Sequence, residues 1–315
     1  MTPRVRAVLG RALAWPTTAL LAAALVLQLT IRDRSLRFSA LYYATPWSVM
    51  ALIAAALAFY WWRVKSRPLA VLHAVAALGF AAGWLVEDWV WRPASTARGE
   101  LRVVLWNVAR PSGRHAGIAQ WLREQQADVI AIAERQPRRK DLMDRWRAAF
   151  PDYEFVVSKG EMLCLIRGEV LSTEEGLLRE GSYGTLIRAR IRGREVTIVQ
   201  ADVAGFPRAY RGVVLDRLRE IMAENAASNF IVLGDFNTPH GSQFFRSWRQ
   251  VGAEAFESAG RGCAATWPTA FPVLSLDHLW SSPRLKAVRC ELRSSWRSDH
   301  RAVVAEFDFA PDVRP

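Results

Sequence analysis

A layered α/β sandwich preceded by three membrane-spanning helices is the fold that this 315-residue chain predicts, and three observations carry it. Three long runs without Asp, Glu, Lys or Arg fill the first third. A small polar stretch, Ala94 to Glu100, separates them from the remainder. That remainder alternates short apolar runs with amphipathic stretches, the pattern of strands with intervening helices.

The uncharged runs lie between Arg11 and Arg32 (20 residues), Arg37 and Arg63 (25 residues), and Arg67 and Glu87 (19 residues). An α-helix needs about 20 residues to cross a hydrocarbon core of roughly 30 Å, so each run is long enough to span. Arg4, Arg6 and Arg11 ahead of the first run suggest the basic start of a signal peptide, but no small-x-small cleavage site follows Leu29 and two further spans come directly after it. Tyr42, Tyr43, Trp47, Tyr60, Trp61 and Trp62 near the ends of the second run, with Trp84, Trp89 and Trp91 at the third, suit interfacial belts. His73, inside the third run, reads as a neutral helix-packing residue rather than a functional one. The four flanking segments offer three basic residues each, so the positive-inside count is tied. The chain therefore divides into a membrane anchor over residues 1–93, a linker over 94–100 and a soluble domain over 101–311.

The soluble domain opens with Leu101-Arg-Val-Val-Leu-Trp-Asn-Val, a strand. A helical pattern follows from Arg114 to Gln126 with Ile118, Trp121 and Leu122 on one face, then the buried strand Asp128 to Glu134. Further strands are expected over Glu161 to Arg167, Gly184 to Ile191, Glu195 to Val203, Phe230 to Leu233, Ser275 to Trp280 and Ala302 to Phe309, and a helix between Arg208 and Glu224.

The formal charge is +12, almost all from arginine, since the only lysines are Lys65, Lys140, Lys159 and Lys286. Such a balance suits a phosphate backbone, an anionic headgroup or a pyrophosphate, but charge alone selects no substrate. Cys164, Cys263 and Cys290 have no CxxC spacing and leave an odd thiol however they are paired, which argues against a zinc site or a disulfide framework.

Chemistry concentrates at strand ends. Glu134 closes an apolar strand, where a carboxylate on a rigid support suits a hard cation such as Mg²⁺ or Mn²⁺. Asn107 likewise ends a strand and can coordinate through its oxygen or donate to a phosphate. In Gly234-Asp235-Phe236-Asn237 the glycine permits a sharp turn, and Asp235 and Asn237, one residue apart, can face one cleft and hold a water beside phosphorus. Ser298-Asp299-His300 sets an acid and an imidazole at the entrance of the last strand. Histidine can serve there as base or, protonated, as a donor to phosphoryl oxygens, and Asp277 on the preceding strand can orient it.

Trp106-Asn107-Val108, Asp128 to Glu134, Gly234-Asp-Phe-Asn237, Leu276-Asp277-His278 and Ser298-Asp-His300, in this order over residues 101 to 310, resemble the motifs of the endonuclease/exonuclease/phosphatase superfamily. Thr266-Trp267-Pro268 resembles its bacterial branch. The resemblance implies a four-layered sandwich with the catalytic loops at one end of two packed sheets. It implies Glu134 as principal metal ligand, with Asn107 and Asp299 near the metal or the scissile phosphate. Asp235 and Asn237 would position the attacking water, and Asp277 would orient His300, giving in-line hydrolysis without a covalent intermediate. One position departs from the pattern: after the central strand, where relatives commonly carry histidine or tyrosine, this chain carries Asp202.

The fold leaves the substrate open. A tethered catalytic domain meets membrane-resident substrates at high effective concentration, and the layout of spans plus domain resembles membrane proteins of glycopeptide resistance. The expectation is hydrolysis of a lipid-linked phosphate or pyrophosphate by a multi-pass protein of the cell membrane, with the domain on the extracytoplasmic side. Alternatives are a membrane-tethered nuclease gripping nucleic acid with its arginines, and a scaffold of the same fold that has lost turnover.

Overall fold

The computed structural model describes residues 3–110, 115–135, 140–179, 181–206 and 210–311, with side chains from Gly10 onward and, in the helix that opens at Lys140, from Leu142. Two compact units divide it, Met1–Trp89 and Val90–Pro315.

The first unit is helical: α1 (Pro3–Leu29), α2 (Leu36–Ala44), α3 (Trp47–Arg63) and α4 (Arg67–Glu87). Gly10–Leu29 and Arg67–Glu87 are each long and apolar enough to cross a membrane. The run expected as one second span is a pair, α2 and α3, bent by 62° at Thr45–Pro46. Proline has no N–H to donate to the preceding turn and disfavours helical backbone in the residue before it, so α2 ends and α3 begins afresh. The unit thus holds two such helices, or three if the bent pair counts as one span. Leu13, Leu52, Phe59, Val71 and Leu78 are more than half exposed on its outside, as helices facing hydrocarbon rather than water would require. Several polar groups are paired inside. His73 bridges the Thr18 hydroxyl (2.9 Å) and the Leu69 carbonyl (2.8 Å), a helix-packing arrangement, and Glu87 accepts from Trp47 Nε1 and Arg32.

The second unit begins in the dipeptide strand β1 (Trp89–Val90) and continues through β2 (Leu101–Asn107), α5 (His115–Glu124), β3 (Val129–Ala133), α6 (Lys140–Ala149), β4 (Glu154–Val157), β5 (Leu163–Ile166) and β6 (Glu169–Glu175). There follow β7 (Tyr183–Ile191), β8 (Arg194–Asp202), α7 (Gly212–Glu224), β9 (Phe230–Asp235), α8 (Phe245–Trp248), β10 (Ala253–Glu254), α9 (Ala255–Ala259) and β11 (Gly262–Cys263), then β12 (Asp277–Ser281), β13 (Leu285–Arg293) and β14 (Ala302–Phe309). Arg114 and Arg208, where two helices were expected to start, lie outside the described residues.

Two six-stranded mixed sheets form, in the orders β10-β12-β9-β8-β7-β6 and β13-β14-β2-β3-β5-β4. The period-two alternation of strand side chains builds the layers. In β2, Val103 and Leu105 enter a core shared with Ile187, Ile198, Ile231 and Leu233 of the other sheet. Val104 and Trp106 point the other way, onto Ile118 and Leu122 of α5 and Met143 and Trp146 of α6. Val199 and Val232 meet Leu215, Leu218 and Met222 of α7 on the opposite outer face. Two sheets flanked by helices on both faces are the four layers.

Strands β4, β6 and β13 and helix α6 were not expected. The residues of β6 are mostly exposed, and its ladder to β7 holds an edge that apolar patterning cannot announce. None of the three cysteines forms a disulfide, Cys164 and Cys290 are buried, and burial pushes the Cys164 thiol up to about 12, leaving it an inert packing group.

Candidate active site

Parallel pairing brings strand ends together. In one sheet β2 runs parallel to β3 with Asn107 beside Ala133, so Asn107 and Glu134 leave adjacent strands at the same end. In the other, β8 runs parallel to β9 with Asp202 beside Asp235, while antiparallel β12 starts at that level with Asp277 beside Asp235. Three acids therefore form a row across β8, β9 and β12. Such a row is specified by register, and Gly234 protects the register: at φ 155° a Cβ there would stand 1.8 Å from the Ala201 carbonyl oxygen.

The two sheets are joined across this end. Asn107 Nδ2 donates to Asp235 Oδ2 (2.9 Å), while Asn107 Oδ1 accepts from the Ala109 N–H. Asp235 Oδ1 accepts from the Asn237 N–H (2.9 Å), and the Asn237 amide, on left-handed backbone at φ 47°, donates to the Val203 carbonyl. His300 Nδ1 lies 2.8 Å from Asp277 Oδ2, with the imidazole buried. Its loop is fixed from three sides. Trp106 Nε1 donates to the His300 carbonyl, the Ser298 hydroxyl donates to the Asn107 carbonyl, and the His300 N–H donates to that same hydroxyl. Thr266 Oγ1 accepts from the Leu276 and Asp277 N–H groups, which holds the start of β12.

Burial and crowding set the charges. Desolvation, then the carboxylate of Asp277, pushes Asp235 up to about 8. Asp202 is pushed up to about 7 by burial and next by Glu134. Burial alone would lower His300, but Asp277 overrides it and carries the imidazole to about 9, a protonated ring at neutral pH. His278, next to Asp277 in sequence, is different. Sealed among Phe236 and Phe245 with Nε2 on the Thr238 carbonyl, it is lowered by burial to about 4 and packs as a neutral ring.

Glu134 stands beside this row, at φ 50°, in an ion pair with Arg110 (2.9 Å). Arg110 also binds Glu161 at 2.7 Å, and both acids hold its guanidinium above the ordinary value although burial works against the charge. Asp299 is exposed and accepts from Trp267 Nε1 at 3.0 Å. Sequence reading did not single out Arg110 or Glu161 as site residues, and it quoted Ser298 and Thr266 within motifs without giving either a role. Nothing local to Arg110 or Glu161 marks them, because it is the turn before β5 that delivers Glu161.

Among the described residues, one group of His, Cys, Asp or Glu side chains offers three ligand atoms within 4.8 Å of one another: Asp235, Asp277 and His300. It does not include Glu134, Asn107 or Asp299, whose polar atoms are directed as described above. A hard divalent cation fits this end of the molecule. Its donors are mainly carboxylate oxygens, burial and then their mutual crowding raise two of them, and Asp277 Oδ1 is buried without a hydrogen-bond partner.

The Endonuclease/Exonuclease/phosphatase family model matches residues 104–300. Mannosyl-6-phosphatase Bt3783 of Bacteroides thetaiotaomicron is similar in structure, with 17% identity over 67% of this chain and 100% of that one and a TM-score of 0.56. TDP2 of D. rerio, complexed with a single-strand DNA product, gives 15% identity over 66% and 98% of the two chains at a TM-score of 0.56. TDP2 of Caenorhabditis elegans gives 20% over 83% and 89% at 0.54. No curated protein sequence matches significantly. The family match covers more than half of the chain and contains every candidate residue of the site, and the chain belongs to the endonuclease/exonuclease/phosphatase family of metal-dependent phosphoester hydrolases.

Proposed function

We propose that this enzyme is a membrane-tethered phosphoesterase that hydrolyses a lipid-linked phosphate or pyrophosphate. The observation that carries the reading is the coexistence, in one chain, of a buried acid row with an imidazolium and of helices long and apolar enough to cross a membrane. Its place is the cell membrane, crossed more than once, with the soluble domain, residues 101–311, outside the cytoplasm.

Mg²⁺ or Mn²⁺, held by Glu134 with Asn107 and Asp299 beside it, would supply neutralisation of the phosphate and of the developing charge on the leaving oxygen. The remaining roles belong to side chains. Asp235, raised toward neutrality and aligned by Asn107 and the Asn237 N–H, takes the proton of the attacking water, and Asn237 helps to hold that water. His300, kept protonated by Asp277, donates to a phosphoryl oxygen as negative charge grows there. Asp202 stands where a histidine or tyrosine is usual. As an acid that titrates near 7, it can donate while protonated, so it assists the phosphate or the leaving group best below neutrality.

A second reading has its own support. The charge of +12 and the likeness to a TDP2 seen with single-strand DNA favour a membrane-tethered nuclease. One panel separates the readings. The full-length protein with Mg²⁺ or Mn²⁺ is offered polyprenyl pyrophosphate, phospholipid and plasmid DNA, beside Glu134→Ala and His300→Ala. Phosphate release from lipid supports the first. DNA cleavage with no lipid turnover supports the nuclease, and no turnover together with no calorimetric metal binding leaves a scaffold.

A further inference from the structure

Four large side chains stand exposed on loops at the end of the sheets that carries the acid row, and the chemistry above uses none of them. Phe206 and Tyr210 follow Asp202 in the connection from β8 to α7. Phe271 lies two residues beyond Thr269, whose N–H donates to the Asp299 carbonyl, and Trp296 precedes His300 by four residues. They are 55%, 42%, 68% and 85% exposed. A single exposed apolar residue means little, but these four belong to loops at one end of the sheets. That end is fixed by topology: β8 finishes there, and β12 and β14, antiparallel to their neighbours, start there.

A second observation points to what meets them. Ala94 and Ser95 line a cleft with Arg261, Arg293 and Arg301, the last adjacent to His300. Farther along, the Gly99 and Glu100 N–H groups donate to Glu306 and Asp308. The segment therefore descends beside β14 away from the site. Exposed Arg297 follows Trp296 on its loop, exposed Arg261 precedes β11, and aromatic tips with arginines nearby suit the boundary between headgroups and hydrocarbon.

We infer that Phe206, Tyr210, Phe271 and Trp296 form a collar that seats this end of the soluble unit on a lipid surface, so that a headgroup phosphate reaches Asp235 and His300 without leaving the membrane. The inference rests on the lipid-linked reading of the substrate. Bases of single-stranded nucleic acid also stack on exposed aromatics, and that occupant is an outcome of the test.

The test uses the full-length chain in nanodiscs of phosphatidylethanolamine and phosphatidylglycerol, in a Cys263→Ser background, since Cys164 and Cys290 are buried. Nitroxide labels are placed one at a time through Phe271→Cys, Trp296→Cys and, at the opposite end of β13, the exposed Lys286→Cys. Labels at 271 and 296 should relax faster with oxygen than with a water-soluble nickel chelate, and the label at 286 should do the reverse. If all three behave alike, the collar is overturned, whatever the substrate proves to be. In kinetics, the combined Phe206→Ala, Phe271→Ala and Trp296→Ala variant should raise KM for vesicle-borne polyprenyl pyrophosphate about tenfold and leave kcat unchanged. Turnover of water-soluble bis(p-nitrophenyl) phosphate should not change. A variant that loses oligonucleotide binding while its lipid KM is unaltered also overturns the collar.

Discussion

Asp277→Asn removes one charge from the pair that governs His300 and keeps the shape of the side chain. Asp277 Oδ2 lies 2.8 Å from His300 Nδ1 inside the protein, and it outweighs a burial effect of opposite sign to carry the imidazole from 6.5 to about 9. A shift of that size corresponds to about 3 kcal/mol of preference for the protonated ring. Without the carboxylate, only burial and weaker neighbours remain, so the ring should titrate at or below its ordinary value. At about pH 8 the protonated fraction then falls from about nine tenths to about three hundredths, a loss of roughly thirtyfold in any step that needs the imidazolium. The sign follows directly. The group must be protonated to donate, so activity is lost as pH rises, and the variant should lose it about two and a half units earlier or more. The assay is kcat/KM for bis(p-nitrophenyl) phosphate across pH, with the His300 titration followed by NMR. A falling limb that stays near 9 in Asp277→Asn would refute the assignment of His300 as a charged donor held by Asp277.

Asp202→Asn supplies a donor that never ionises, so a limb near pH 7 present in the wild type should flatten; an unchanged profile means that Asp202 does not donate. Gly234→Ala should cost about 3 kcal/mol or more, because its Cβ would collide with the Ala201 carbonyl and part β8 from β9; a thermal melt like the wild type contradicts this. Glu254, buried and raised from 4.5 to about 7, binds its proton more tightly folded than unfolded, so the stability it allows falls as pH rises through that interval. Glu254→Gln should therefore gain on the wild type by up to roughly 3 kcal/mol across it, and a difference in melting temperature that does not vary with pH argues against the buried acid. A reporter fused after Pro315 should work outside the cytoplasm, and activity confined to the cytoplasm reverses the orientation.

Strands written as short, largely apolar runs were legible, and so were the residues at their ends. Ala302–Phe309 was expected over the span observed because the residues are largely apolar and an Arg precedes them, and in the fold they are almost all buried. Asp235 and Asp277 were legible as chemistry from their positions at strand ends. Their adjacency was not, since it depends on antiparallel β12 pairing with β9 rather than on spacing. The left-handed backbone at Ala109 and Arg110, which carries Arg110 to Glu134 and Glu161, had no glycine to announce it. The break at Pro46 was visible in the sequence, but a count of uncharged residues passes over it, because length measures whether a segment can span and says nothing of whether it is one helix.

Phosphate release from polyprenyl pyrophosphate by the reconstituted full-length protein, with and without a chelator, tests the central claim most directly. The account predicts release that requires Mg²⁺ or Mn²⁺, stops with the chelator, and drops by about a hundredfold or more in both Glu134→Ala and His300→Ala. Release that survives chelation, or persists at the wild-type rate in either variant, would contradict it.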